Sequence, residues 1–159
     1  MPAASEPPAP LPLLPTRFRP LGVRVAAILF GVILVGAVVV IWLALPQEAQ
    51  AGFNIAQKLT VAAMVLAGLA IGHALARCRV DADDAGLTVV NGYRSYRLTW
   101  QEVVRVSLRP GSPWAVLDLA DGTTRAAMGI QGSDGNRAVR QARQLRALVE
   151  AHSAAEPQS

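Results

Sequence analysis

Cysteine, lysine and histidine are scarce in this chain, and each scarcity narrows what it can do. Cys78 is the sole cysteine, so no intrachain disulfide forms, which fits a reducing compartment. Arg77 stands before it where lipid attachment needs a small residue, so Cys78 reads as an unreactive thiol at a helix end. The two histidines, His73 and His152, have no accompanying serine and acid in a triad-like arrangement. Carboxylates are dense only at Asp81, Asp83 and Asp84. That cluster lacks the ordered oxygen ligands of a calcium loop and reads as a polar turn. No glycine loop follows a strand and opens a helix, as phosphate cradling requires. These absences give the expectation of a protein that is not an enzyme and carries no cofactor and no metal. Arginine outnumbers lysine 14 to 1, a bias typical of GC-rich bacterial genomes.

What the chain does have is apolar length. Val25 to Leu45 is 21 residues without a charge, and Leu59 to Ala76 is 18 more, interrupted only by His73. A bilayer core takes about 20 apolar residues as a helix. Two transmembrane helices are therefore expected, at about 24–45 and 59–76, within a segment spanning 21–76. The connection from Pro46 to Lys58 is too short for a domain, so the spans form an antiparallel hairpin. Arg17, Arg19 and Arg24 precede the first run, Arg77 and Arg79 follow the second, and the connection carries only Glu48 and Lys58. Lys and Arg concentrate on the cytoplasmic side of spans, which predicts a two-span cell-membrane protein with both termini cytoplasmic. Ala49-Gln50-Ala51 looks like a cleavage site, but secretory apolar cores run about 7 to 15 residues. The first run is accordingly read as retained; even if it were removed, Arg77 and Arg79 would hold the C-terminal half inside.

Gly68 and Gly72, with Ala76 four residues on, put small residues on one face of the second helix and let another backbone approach closely. The first helix is the favoured partner, and a homodimer through the second helix is the alternative. His73 lies near the cytoplasmic end of its span, with no intramembrane carboxylate to form a relay, and reads as a neutral or snorkelling group. Residues 1–20 hold seven prolines and are expected to form a disordered cytoplasmic tail, as is the polar segment 152–159.

From Arg79 the apolar pattern changes to period two. Strands are expected at Arg79–Ala82, Leu87–Asn91, Tyr96–Trp100, Val103–Leu108, Trp114–Ala120 and Thr123–Met128, with turns at Asp83–Gly86, Asn91-Gly92 and Asp121-Gly122. A helix follows, capped by Ser133 or Asp134. Ala138, Val139, Ala142, Leu145, Leu148 and Val149 form its buried face, and Arg137, Arg140 and Arg143 its solvated face.

A strand meander closed by one amphipathic helix is the pleckstrin-homology (PH) layout. Arg79-Val-Asp-Ala-Asp-Asp-Ala-Gly-Leu-Thr-Val and Arg97-Leu-Thr-Trp-Gln-Glu-Val-Val-Arg-Val resemble the small bacterial PH-like domains of actinobacterial membrane proteins, most closely the low molecular weight protein antigen 6 family. The resemblance covers residues 77–151 and the preceding spans. It implies a transmembrane α-helical hairpin followed by an α+β PH-like domain, a bent antiparallel sheet or partly open barrel of six or seven strands with one C-terminal helix. It implies no reaction. Six strands are evident, so either a short first strand stands near the membrane or the fold is trimmed.

PH domains that read phosphoinositides resemble one another in a basic cluster between their first two strands, and here that loop carries Asp83 and Asp84, the wrong sign for a phosphate pocket. Arg77, Arg79, Arg94 and Arg97 are the candidates for contact with lipid headgroups. Trp100 and Trp114 read as packing groups in preference to stacking platforms. Residues 77–159 contain 11 arginines and nine acidic residues, a net charge of +2, too weak a footprint for nucleic acid. The expected partners are the lipid bilayer and an unidentified protein.

Overall fold

The structure, a computed structural model, describes residues 11–154. The tail expected over the first ten residues, and that over 155–159, lie outside the described residues. The chain divides into two compact units. Leu21–Arg77 is one, and the flanking segments, up to Pro20 and from Cys78 onward, are the other.

The first unit is helical. α1 (Leu21–Ala44) and α3 (Ile55–Arg77) pack against each other, joined by a short α2 (Gln47–Gly52). Both long helices start earlier than the hydropathy runs suggest, because helix continues through the polar residues at each end. At 24 and 23 residues they are about 36 and 34 Å long, enough for a hydrocarbon core of about 30 Å. Neither buries any residue fully, and both are apolar all round. Both are long and apolar enough to cross a membrane.

Gly68 and Gly72 face α1. A Cβ placed on Gly68 would lie 2.9 Å from Leu34 Cδ2, and one on Gly72 would lie 3.8 Å from Ala27. One turn beyond Ala27 and Gly72, Arg24 Nε donates to the Ala76 carbonyl at 3.0 Å. This satisfies one of the carbonyls that a helix C-terminus leaves without an intrahelical partner.

Among the described residues the second unit contains seven strands. β1 (Thr16–Phe18), β2 (Arg79–Asp83), β3 (Gly86–Asn91) and β4 (Arg94–Leu98) form one antiparallel sheet in that order. β5 (Val103–Ser107), β6 (Trp114–Leu119) and β7 (Thr124–Gln131) form the other. α4 (Asn136–Ala154) packs on β5 and β7. Bent antiparallel sheets with a C-terminal helix are the architecture the sequence pattern implies.

The seventh strand comes from a place the sequence reading assigned to a tail. Thr16, Arg17 and Phe18 pair with Ala82, Asp81 and Val80, so the helical hairpin is inserted between two adjacent strands. Pro12 and Pro15 precede it, and Thr-Arg-Phe then pairs along the edge of β2 and buries Phe18 to 3% exposure. A three-residue strand has no periodicity to detect, and its partner is remote in sequence.

Other boundaries shift for local reasons. The expected strand over Tyr96–Trp100 ends at Leu98, because Thr99 and Glu102 close a capping box around a 3₁₀ turn over Trp100–Glu102. Ser133 and Asp134 sit in a 3₁₀ turn just ahead of α4, which starts at Asn136. Its first bond runs from Val139 N–H to the Gly135 carbonyl, at 3.2 Å. On α4 the expected apolar face is buried except at Val139, and Gln141 is buried with it. The expected tail at 152–154 is the last turn of this helix.

The two sheets meet where β7 crosses β2 and β3. A Cβ on Gly129 would fall 2.5 Å from the Arg79 carbonyl carbon, so only glycine permits this approach. Alongside, Asn91 Nδ2 donates to the Ala126 carbonyl at 2.6 Å and Asn91 Oδ1 accepts from Met128 N–H at 3.1 Å. One side-chain amide thus bonds β7 as a strand would. On the opposite side β4 and β5 have no ladder joining them, which leaves the barrel partly open.

Phe18→Ala tests the inserted-strand topology. Removing a buried phenylalanine from β1 is expected to lower stability by about 3 kcal/mol in urea unfolding of the strand domain, whereas a true tail would show no change.

Candidate functional site

The register aligns a row of polar side chains across the first sheet. Arg17 pairs with Asp81, Asp81 with Thr88, and Thr88 with Arg97. Residues directly opposite share a face, so these four stand in line over about 15 Å on the side away from the core. Arg79, two residues from Asp81, belongs to the same face. Asp81 is held by both neighbours, accepting from Arg17 Nε and from Arg79 Nε, the latter at 2.8 Å. Three arginines and one aspartate leave this face with a local charge of +2.

Of the four arginines singled out in the sequence, Arg79 and Arg97 lie on this face. Arg94 is on the opposite parity of β4, and Arg77 ends α3 in the helical unit. Arg17 completes the set but was invisible as a site residue, because its place depends on β1. The acidic turn also changes its meaning. Asp83–Gly86 joins β2 to β3, while the connection between the first two strands is the helical hairpin itself. Asp83 Oδ1 accepts from Ala85 N–H (2.9 Å) and Gly86 N–H (3.1 Å), which closes the turn.

β4 offers a free sheet edge. Gly92, with φ of 63°, and Tyr93 form the two-residue turn after β3, so Asn91 and Arg94 are the first pair. Alternation along an antiparallel ladder then directs the backbone N–H and C=O of Ser95 and Arg97 away from β3. Tyr96, on the core side, carries the Arg125 guanidinium over its ring at 5.0 Å.

The edge of β5 is obstructed. Its ladder is irregular between Val103 and Arg105, and Arg146 from α4 donates through Nε and Nη2 to the Val106 carbonyl, at 3.2 and 3.0 Å. A bulge and a capping side chain are both means by which proteins close an edge.

Trp100 is buried, donates from Nε1 to the Asp83 carbonyl at 3.2 Å and stacks on His152 at 4.2 Å. Packing is thus the role it has here. Trp114 is half-buried on β6. No group of three or more His, Cys, Asp or Glu positioned to hold a metal occurs among the described residues.

Two exposed carboxyls have pKa values below the ordinary range. Thr99 N–H and then its hydroxyl hold Glu102 down, and the Thr123 hydroxyl and then its N–H hold Asp121 down.

Residues 77–148 match the family model described as the bacterial PH domain. The chain is similar to an uncharacterized protein of Mycobacterium bovis and to uncharacterized proteins of two Mycobacterium tuberculosis strains. Each is 38% identical over 99 residues, which is 61% of this chain and 63% of the relative. The chain therefore spans less than two thirds of the length of these relatives. No solved structure matches it. The fold and the family match agree on a PH-like domain, the layout of an interaction module.

Glu102 makes one part of this geometry measurable. A depressed carboxyl stabilises the fold fully above its unfolded pKa and loses that contribution as pH falls through the folded value. Glu102→Gln is expected to lower the thermal midpoint at pH 7, with the gap to the parent chain closing as pH falls below about 4.5, measured by calorimetry across that range.

Proposed function

We propose that this protein is a membrane-anchored, non-enzymatic interaction module. Two transmembrane helices hold a PH-like domain at the inner membrane face, where it binds a protein or peptide. The observation that carries this reading is the β4 edge, open along Ser95 and Arg97 and bordered by a basic face. An extended segment adding there gains main-chain hydrogen bonds from the edge. Arg97 and the row behind it favour a segment with acidic side chains.

Anchoring is supported by the length of α1 and α3 and by the strand pairing. Only Arg19 and Pro20 separate β1 from α1, and only Cys78 separates α3 from β2. Both ends of the hairpin thus start from one strand pair, as two crossings require and one crossing forbids. The arginines at those ends favour the cytoplasmic side.

A second reading, an anionic-lipid sensor, has one observation in its favour: Arg17, Arg79 and Arg97 share a face. At about 1 kcal/mol per basic residue near a charged surface, such a face orients a tethered domain more than it localises it. A homodimer remains compatible with the helical unit only through faces other than that of Gly68 and Gly72, which α1 occupies.

Ser95→Pro separates the edge from the fold. The substitution removes an outward N–H without touching the β3–β4 ladder. With a photocrosslinking residue at Arg97 in the full chain, a discrete adduct is expected in membranes and is expected to vanish in Ser95→Pro. An adduct that persists, or none in either chain, rejects the edge as the docking site.

Topology is read separately by thiol labelling in a Cys78→Ala background. Glu48→Cys is expected to react with an impermeant reagent in intact cells, and Arg109→Cys only after permeabilisation. The reverse pattern places the domain outside.

A further inference from the structure

At the α2 end of the hairpin, α1 and α3 enclose an apolar groove of about 700 Å³, within the usual range of ligand pockets, about 300–1,000 Å³. Val38, Val61 and Val65 are among its walls, and Trp42, Phe53 and Lys58 also line it. The site is braced by the connection. Phe53 sets its ring against Trp42 edge-on, 5.5 Å between centroids. Gln50 Nε2 donates to the carbonyls of Trp42 and Leu45 at 3.0 and 3.1 Å, binding α2 to the end of α1. Asn54 and Gln57 cap the start of α3 reciprocally, at 2.9 and 3.0 Å.

Lys58 is the only lysine in the chain, and between Val25 and Ala76 the only other charge is Glu48. Its Nζ lies 5.6 Å from the centre of the Trp42 ring, and no ion pair among the described residues involves it. A single ammonium beside an otherwise apolar groove complements one kind of molecule, an anion carried on a hydrocarbon chain. Trp and Lys at the end of a span also belong at the depth of lipid headgroups.

We propose that this groove seats an acyl chain of an anionic phospholipid, with the phosphate held at Lys58 beside Trp42. The site rests on the membrane-embedded reading of the hairpin and is independent of any partner at β4.

The test uses the full chain in nanodiscs, with phosphatidylglycerol or phosphatidylcholine carrying a photoreactive acyl chain. Adducts are expected on groove residues between Val38 and Leu66, with phosphatidylglycerol favoured about fivefold. Lys58→Gln removes that preference and Lys58→Arg keeps it. Ala62→Phe, which fills the groove from its wall, lowers labelling by both lipids at unchanged helicity. Equal labelling by the two headgroups, adducts spread evenly around both helices, or a Glu48–Lys58 crosslink between two copies overturns the site while leaving the anchor standing. Recovery of the chain in the aqueous fraction overturns the anchor and the site together.

Discussion

The pairing of Thr16–Phe18 with Val80–Ala82 is the constraint from which the rest of this architecture follows. It converts what looks like a helical hairpin followed by a domain into a domain interrupted by a helical hairpin. Closing so long a connection costs little more than closing a short one, since loop entropy grows only as the logarithm of length. Here the cost is smaller still. The connection is itself a folded pair of helices, whose packing returns its second end to the neighbourhood of its first. Small residues make that packing close, with Gly31, Gly68 and Gly72 each facing a side chain of the opposite helix.

Much of this was legible in the sequence, and where it was not, the reasons are physical. Length and hydropathy identify α1 and α3, because apolar runs this long are read as helix without an amphipathic pattern. Alternation identifies β2, β3, β5, β6 and β7, whose core residues include Val80, Leu87, Val89, Val106, Leu117 and Ile130. The glycines after Asp83-Asp84-Ala85, Asn91 and Asp121 mark turns that the structure contains. Positive φ at Gly86, Gly92 and Gly122 is the reason for each. β1 escaped because three residues carry no period and because its register is set across the hairpin. The family match, which begins at residue 77, leaves out the same strand.

The candidate site was legible in composition but not in arrangement. Arg79 and Arg97 could be chosen as basic residues, but only strand register shows that they share a face while Arg94 does not. Arg17 joins them through the strand that the sequence concealed. Asn91 reads as half of a turn dipeptide, yet its amide also bonds β7 across the corner. Such a dual role leaves no trace in local pattern. Lys58 and Trp42 are sixteen positions apart, and only the packing of two helices brings an ammonium over an indole.

The interrupted sheet has a consequence for biogenesis. β1 leaves the ribosome before either apolar helix, and its partner strand only after both. In a bilayer, a chain that threaded one helix and skipped the other would strand β1 and β2 on opposite leaflets. Phe18 would then stay uncovered, and the barrel would lack a wall. In the membrane-spanning arrangement proposed above, the sheet would act as a parity check on translocation, completed only by a polypeptide that has crossed and come back.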